Sequence, residues 1–269
     1  MKKLLVMVLC LFMLCGCGGS KSAYADLTVL EGVQLGVEDY GIAFREGSDM
    51  VDLVNDITKD LFETGKMKEI AGKYDKADNL VTEFKVIEEQ AVSGESDYEY
   101  IKNKGTFIVG ITDYKPMDYL DENGEWIGVD ADYTREVASR LGLNVEFLEI
   151  DWGQKEMALQ TKQIDCIWNG MTITDAIKNS CDVTAPYMKN YQVVVVKDAQ
   201  KYNSLESLKD AIVVAEGGSA GESAAKENEY LNVNYKDVET QNDALLQVKS
   251  GAADACVIDY VMASSVVGK

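Results

Sequence analysis

The spacing of apolar residues along this chain switches repeatedly between two periods, and the switches mark out strands and helices. Residues 164–168, Ile-Asp-Cys-Ile-Trp, form a short apolar run of strand length. The run ends in Asn169-Gly170, a turn signal that opens onto Met171, Thr172 and Thr174. A polar stretch with Cys181 separates it from a second apolar run at 191–196. Upstream, the pattern predicts a strand at 106–111, a helix at 130–141 with Tyr133, Val137, Ala138 and Leu141 on one face, a strand at 145–150 and a helix at 154–161. With 164–168 these make a β-α-β-α-β run.

Downstream, a second unit of the same kind follows. Ser204 caps a short helix, 212–215 is a strand, Gly217-Gly218-Ser219 opens a helix and 233–238 is another strand. Thr240 and Asp243 make a capping-box-like start for a helix carrying Leu245 and Val248, ended by Gly251. A strand at 254–258 and a helix at 259–267 close the series. Near the N-terminus, 27–30 and 40–44 are strand candidates. Ser48 is a good N-cap for a helix with Leu53, Val54, Ile57 and Leu61 inward, stopped at Gly65; Met67, Ile70, Ala71 and Tyr74 then predict a second helix. Residues 76–96 are polar, contain Ser93-Gly94-Glu95-Ser96 and read as a linker, with a strand or helix at 84–91.

Charge and composition narrow the function. The 269 residues include 46 acidic and 26 basic side chains, a formal net charge of −20 that repels phosphate backbones and argues against nucleic acid as a partner. There is no histidine, which removes a Ser-His-Asp triad and the commonest metal ligand. Cys166, Cys181 and Cys256 lie in the folded body without a C-x-x-C pair, so neither a metal nor a redox cofactor is implied. Residues 1–17 carry Lys2, Lys3, an apolar run and Cys15-Gly16-Cys17, the layout of an export signal. Leu14-Cys15-Gly16-Cys17 resembles the lipoprotein cleavage box with Cys17 lipidated, although an ordinary cleaved signal or an uncleaved anchor has similar flanks. Each of these places the folded part outside the cytoplasm, where a disulfide can persist.

Four blocks carry a resemblance: Val109 with Gly110-Ile111-Thr112-Asp113-Tyr114-Lys115-Pro116-Met117, Gly128-Val129-Asp130-Ala131-Asp132, the run from Ile164 to Thr174, and Ala253-Asp254-Ala255-Cys256-Val257-Ile258-Asp259. Together they resemble the solute-binding proteins of polar amino acid ABC transporters, the bacterial family 3 solute-binding proteins. Tyr40-Gly41-Ile42-Ala43-Phe44-Arg45-Glu46-Gly47-Ser48 is similar to that family's final segment, yet here it comes first. The resemblance therefore implies an α/β, two-lobed, hinge-bending type II periplasmic binding protein fold in circularly permuted order. One lobe is 45–75 with 97–190, the other 22–38 with 198–269, the hinge strands are 39–44 and 191–197, and 76–96 joins the exchanged pieces. It predicts that Ser22 and Lys269 lie side by side.

By the same resemblance the partners are a small solute, most simply a polar amino acid, an ABC transporter permease with its ATPase, and the membrane through a lipid anchor; the protein is expected to be a monomer and not an enzyme. Asp259 would take the ligand ammonium, although a helix N-cap fits the same position. Thr172 with Ser219 and Ala220 would take the carboxylate, Tyr114 and Trp152 would form aromatic walls, and Asn169, Gly170 and Met171 the floor. Where the family has a carboxylate-binding arginine this chain has Ile177, with Lys178 beside it. That substitution leaves a cationic or amine-bearing ligand open. A same-fold dehydratase-like enzyme, a non-transporting sensory receptor and a rearranged, inactive binding protein are the alternatives. Cys166 and Cys181, close in sequence, are a candidate disulfide.

Overall fold

The computed structural model describes residues 22–86 and 92–269. The export segment with Cys17, the tether 18–21 and most of the element expected at 84–91 lie outside the described residues. Among the described residues no helix is long and apolar enough to cross a membrane.

The chain enters through β1 (Thr28–Val29) and the long strand β2 (Leu35–Phe44), then two helices, α1 (Met50–Glu63) and α2 (Lys66–Gly72). Gly65 separates these helices in the left-handed conformation at φ 77°, where glycine has no Cβ to clash. Ser48 does not cap α1 in the ordinary way: Asp49 holds the cap position, and the Ser48 hydroxyl accepts from Met50 N–H at 3.3 Å. After the expected linker comes a helix the pattern did not predict, α3 (Asp97–Lys104), capped by Ser96. The first α/β unit follows: β3 (Phe107–Ile111), a small hairpin of β4 (Tyr119–Leu120) and β5 (Trp126–Ile127), α4 (Val129–Leu141), β6 (Val145–Glu149), a single 3-10 turn at Trp152–Gln154 running into α5 (Lys155–Gln160), and β7 (Cys166–Thr172). The short helix α6 (Asp175–Lys178) and β8 (Asp182–Val183) lead to the second long strand, β9 (Met188–Val196). The second unit is β10 (Val213–Glu216), α7 (Ala220–Glu227), β11 (Tyr235–Val238), α8 (Gln241–Ser250), β12 (Ala255–Asp259) and α9 (Tyr260–Val266). Ser204 serves only a 3-10 turn at Glu206–Leu208.

These strands pair in the order β11-β10-β12-β9-β2-β7-β3-β6, parallel within each α/β unit and antiparallel where β9 and β2 join them. Tyr40 sits at the crossing, opposite Thr172 on one side and Met188 on the other. Both crossing strands are longer than the hinge segments expected from the sequence.

One face of the sheet carries a continuous core, from Met50, Val54 and Tyr133 through Tyr40 and Tyr187 to Leu245 and Val261. On the opposite face the core is divided, with Val194, Val196, Val213 and Leu231 in one cluster and Trp152, Leu159, Ile167 and Ile177 in another. Along β9 side chains alternate, and Asn190 and Gln192 share the parity of Val194 and Val196. Polar groups therefore line the gap between the two clusters. The alternation also explains why the candidate disulfide is not formed: Cys166 faces the continuous core whereas Cys181 belongs to the cluster around Ile177, and both are buried free thiols.

At the surface, Ser22 N–H donates to the Lys269 carbonyl at 2.9 Å, Gly268 N–H to the Tyr24 carbonyl at 3.1 Å, and Tyr24 bridges Val267 in parallel.

Candidate functional site

A cavity of about 250 Å³ lies in the gap between the divided clusters. Its floor is the C-terminal half of β7, which the sequence pattern ended at Trp168 but which continues to Thr172. Gly170 makes this continuation feasible: it adopts φ 55°, beside a register shift between β2 and β7, and a Cβ there would lie 2.5 Å from the Tyr114 ring. Tyr114 thereby packs against the floor, its hydroxyl 2.7 Å from that of Tyr40.

Asn169 and Gly170 line this floor, but their polar groups are held from behind. The Asn169 Oδ1 accepts from Thr112 N–H and Oγ1 at 2.8 and 2.7 Å, and its Nδ2 donates to Asp118 Oδ2 at 2.8 Å. Gly170 N–H donates to Asp130 Oδ2 at 2.7 Å, and the Tyr187 hydroxyl donates to both oxygens of the same carboxylate at 2.8 Å. Burial pushes Asp130 up to about 7 against these donors, and lifts Asp118 well above the usual carboxylate range.

The opposite wall is acidic. Asp259 precedes α9 in the N-cap position, but its side chain makes no cap bond. Its carboxylate instead accepts from Gln192 Nε2 at 2.7 Å and from the amides of Asn190 and Gln241. Glu38, on β2, shares two of these donors: its Oε2 accepts from Asn190 at 2.9 Å, from Gln192 at 3.0 Å and from Thr172 Oγ1 at 3.0 Å. The Thr172 hydroxyl is thus turned toward Glu38. Burial, then the neighbouring Asp259 charge, pushes Glu38 up to about 7, and burial raises Asp259 as well. Glu216, at the end of β10, is pushed up to about 8 for the same two reasons. Its Oε1 and Gln192 Oε1 are buried acceptors without a donor among the described residues.

The two lobes meet over the cavity. Gly153 and Gly218 touch backbone to backbone, since a Cβ on Gly218 would lie 2.8 Å from Gly153 Cα. Beside them Lys155 Nζ donates to Trp152 O at 3.2 Å and across the gap to Gly218 O at 2.9 Å, and stands 5.0 Å from the Trp152 ring centroid. Burial lowers the pKa of this ammonium. Ser219 caps α7 by accepting from Glu222 N–H at 3.0 Å, so its hydroxyl serves the helix while it and Ala220 border the cavity. Ile177 also lines the cavity, packed in the Trp152 cluster. A larger open groove of about 990 Å³ adjoins this space, sharing Thr172, Thr174 and Ala220 and bordered by Glu38, Leu35 and Val183. It holds fewer buried polar groups and forms the outer mouth.

The structure thus brings Tyr114, Trp152, Asn169, Gly170, Met171, Thr172, Ser219, Ala220 and Asp259 around one cavity. The sequence reading missed Glu38, Lys155, Asn190, Gln192 and Gln241. Asn190 and Gln192 did leave a signal, as two polar residues at alternate positions just before the run of four valines. Glu38 and Lys155 left none, because Glu38 meets Thr172, Asn190 and Gln192 and Lys155 meets Gly218, all far away in the chain. Among the described residues no group of three or more metal-ligating side chains occurs.

The chain is similar to known proteins in sequence and in fold. ArtP, the arginine-binding extracellular protein of Bacillus subtilis (strain 168), is 30% identical over 175 residues, 63% of this chain and 67% of ArtP. The next two relatives are matched over 62% and 64% of their own lengths, so the chain spans somewhat less than two thirds of them. Among solved structures, holo ArgBP from T. maritima is 31% identical with a TM-score of 0.58, covering 62% of this chain and 74% of that one. The ancestral amino acid-binding protein AncCDT-1, a precursor of cyclohexadienyl dehydratase, is 37% identical with a TM-score of 0.59, covering 63% and 76%. These neighbours share the type II periplasmic binding protein fold. Residues 107–256 match the model of the bacterial extracellular solute-binding proteins, family 3, and the chain belongs to that family.

Proposed function

We propose that the protein captures a polar amino acid outside the cytoplasm, one whose side chain carries a positive charge, and delivers it to an ABC transporter permease. The acidic wall carries the reading. Asp259 and Glu216 are buried around the cavity, half-buried Glu38 borders its outer mouth, and Glu216 Oε1 and Gln192 Oε1 lack donors among the described residues. Asp259 with Glu38 beside it, sharing the Asn190 and Gln192 amides, and the unpaired Gln192 Oε1 call for a donor-rich cation. The volume, about 250 Å³, is just below the roughly 300–1,000 Å³ of small-molecule sites and suits a single free amino acid. With its α-ammonium at Asp259, such a solute extends its side chain past Glu38 toward the outer groove. The relatives that bind arginine support this choice. A neutral amino acid would leave the second acid without a counter-charge.

Titration calorimetry of the purified protein with L-arginine, L-lysine and L-glutamine tests the reading. The expected result is heat with the two cationic amino acids and at least about tenfold weaker binding of glutamine, the worth of one charge-assisted contact. Stronger binding of glutamine would overturn the choice of a cationic side chain, and no binding of any amino acid would overturn the function.

The permuted segment order and the assignment of lobes and hinge belong to the same proposal. The bond between Ser22 and Lys269 supports the order, as does a family match confined to 107–256 while the Tyr40–Phe44 strand pairs with β7 and β9. A rearranged chain running 97–269 and then 22–75 should fold and bind alike; failure to fold would speak against the permutation. Lipid anchoring at Cys17 rests on the cleavage-box pattern alone, and globomycin-sensitive processing would test it.

A further inference from the structure

We propose that Lys155 receives the solute's carboxylate, taking over at a different place in the fold the task for which position 177 has no charge. The inference rests on the amino acid reading above and adds the residue that would distinguish an amino acid from a plain amine.

The chain has three arginines, Arg45, Arg135 and Arg140. None borders the cavity: Arg45 is paired with Asp97, Arg135 with Asp132 and Arg140 with Asp60. Lys178, next to Ile177 in sequence, is half exposed and paired with Asp175 at 3.1 Å. Lys155 is the cation in the cavity wall, and it is 8% exposed. Its surroundings are unusual for a buried ammonium. No carboxylate of the described residues lies within 4.0 Å; its partners are two backbone carbonyls and the face of an indole. Carbonyls orient an ammonium without neutralising it, and a buried charge without a counter-charge is costly. Of its three N–H groups two are used, and the third remains for a ligand.

The surroundings complete an anion seat. Ala220 and Gly221 open α7, eight residues long, and the first amides of a helix have no intrahelical acceptor. Ala220, Thr174 and Ile177 border the same cavity as Lys155. Because Ile177 is apolar and packs with Trp152, it leaves the space for the lysine rather than competing with it. Glu216 faces this seat from β10 and would oppose an anion if ionised. Its carboxyl, pushed up to about 8 by burial and the Asp259 charge, is mostly protonated at neutral pH. Glu156, then Glu216, Cys181 and Glu222, act on Lys155 through their charges without direct contact, raising its pKa against the burial.

A latch between the lobes is the competing role, since Lys155 spans Trp152 O and Gly218 O. The two roles separate when one ligand lacks a carboxylate. L-arginine and agmatine share the amine and guanidinium and differ in that group alone. Titrations of the full chain with both, for wild type and Lys155→Met, should show wild type preferring L-arginine by about 10- to 100-fold, the range of a charge-assisted bond. In Lys155→Met the preference should vanish through weaker arginine binding, with agmatine unchanged. If methionine prevents folding, Lys155→Gln keeps a donor for the two carbonyls and serves the same comparison. Equal losses for both ligands would identify a latch and overturn the proposal, as would arginine binding that survives the substitution. Wild type binding agmatine as tightly as arginine would overturn it while leaving the cation site standing, and wild type binding neither would remove it together with the amino acid reading.

Discussion

Replacing Glu216 by glutamine should stabilise the empty protein at neutral and alkaline pH. The side chain is 3% exposed, and its Oε1 has no donor among the described residues. Burial, then the Asp259 charge, lifts its pKa from 4.5 to about 8, with Lys155 pulling the other way. The folded value lies above the unfolded one, so the protonated form favours folding. That contribution is complete below pH 4.5 and is lost as pH rises through about 8. At about 1.4 kcal/mol per pKa unit the whole rise withdraws roughly 5 kcal/mol, and roughly 3 kcal/mol of it between pH ~5 and ~7. Glu216→Gln keeps the shape and has no proton to lose, so the variant's advantage over wild type should widen by that roughly 3 kcal/mol. Urea denaturation without solute at about pH 5, 7 and 8.5 measures it. A variant whose advantage is constant across these pH values would refute the claim that Glu216 is buried uncompensated.

Other perturbations follow from single contacts. Asp259→Asn removes the counter-charge for the ammonium while keeping hydrogen-bonding shape; truncating one partner of a buried charge pair costs about 2–5 kcal/mol, so calorimetry should show affinity falling by at least about 30-fold. Gly170→Ala forces a side chain into φ 55° and to 2.5 Å from the Tyr114 ring, and should lower unfolding free energy by about 3 kcal/mol. Gly218→Ala places a methyl group 2.8 Å from Gly153 Cα. It should weaken solute binding by at least about tenfold while costing the empty protein about 1–2 kcal/mol, because the clash exists only when the lobes meet.

What could be read in the sequence depended on how locally each feature is determined. Elements with their own stop and start signals were legible: Gly65 between α1 and α2, Thr240 and Asp243 at α8, and Gly251 after it all act within one helical turn. Helix α3 was not, because its sequence is mostly polar and only Asp97 and Ile101 are buried. Strand β7 was cut short at Trp168 because Asn-Gly usually turns a chain. Here the strand instead runs on through the glycine at φ 55°, with the Tyr114 ring packed against it and the Asp130 carboxylate accepting from its N–H. The cysteine pair misled for a related reason, since closeness in sequence says nothing about which face of the sheet each thiol meets. Of the site, the residues on the β7 and β12 ends came through family resemblance. Glu38 and Lys155 did not, because their roles arise from partners contributed by the opposite lobe or the other crossing strand.

The position of Glu38 has a kinetic meaning. It stands on β2 where the two long strands cross, and its donors are Asn190 and Gln192 on the companion strand and Thr172 beside it. On the proposed assignment of β2 and β9 as the hinge, points near the axis scarcely move, so this acid would keep its place whether the lobes are apart or together. Lys155 and Gly218 are in contact here from opposite walls, and on the proposed hinge assignment that contact parts when the lobes open. Glu38 therefore influences how often an arriving cation is accepted, whereas the Lys155 contact influences how long it stays. Substitutions at the first should change the association rate, and substitutions at the second the residence time.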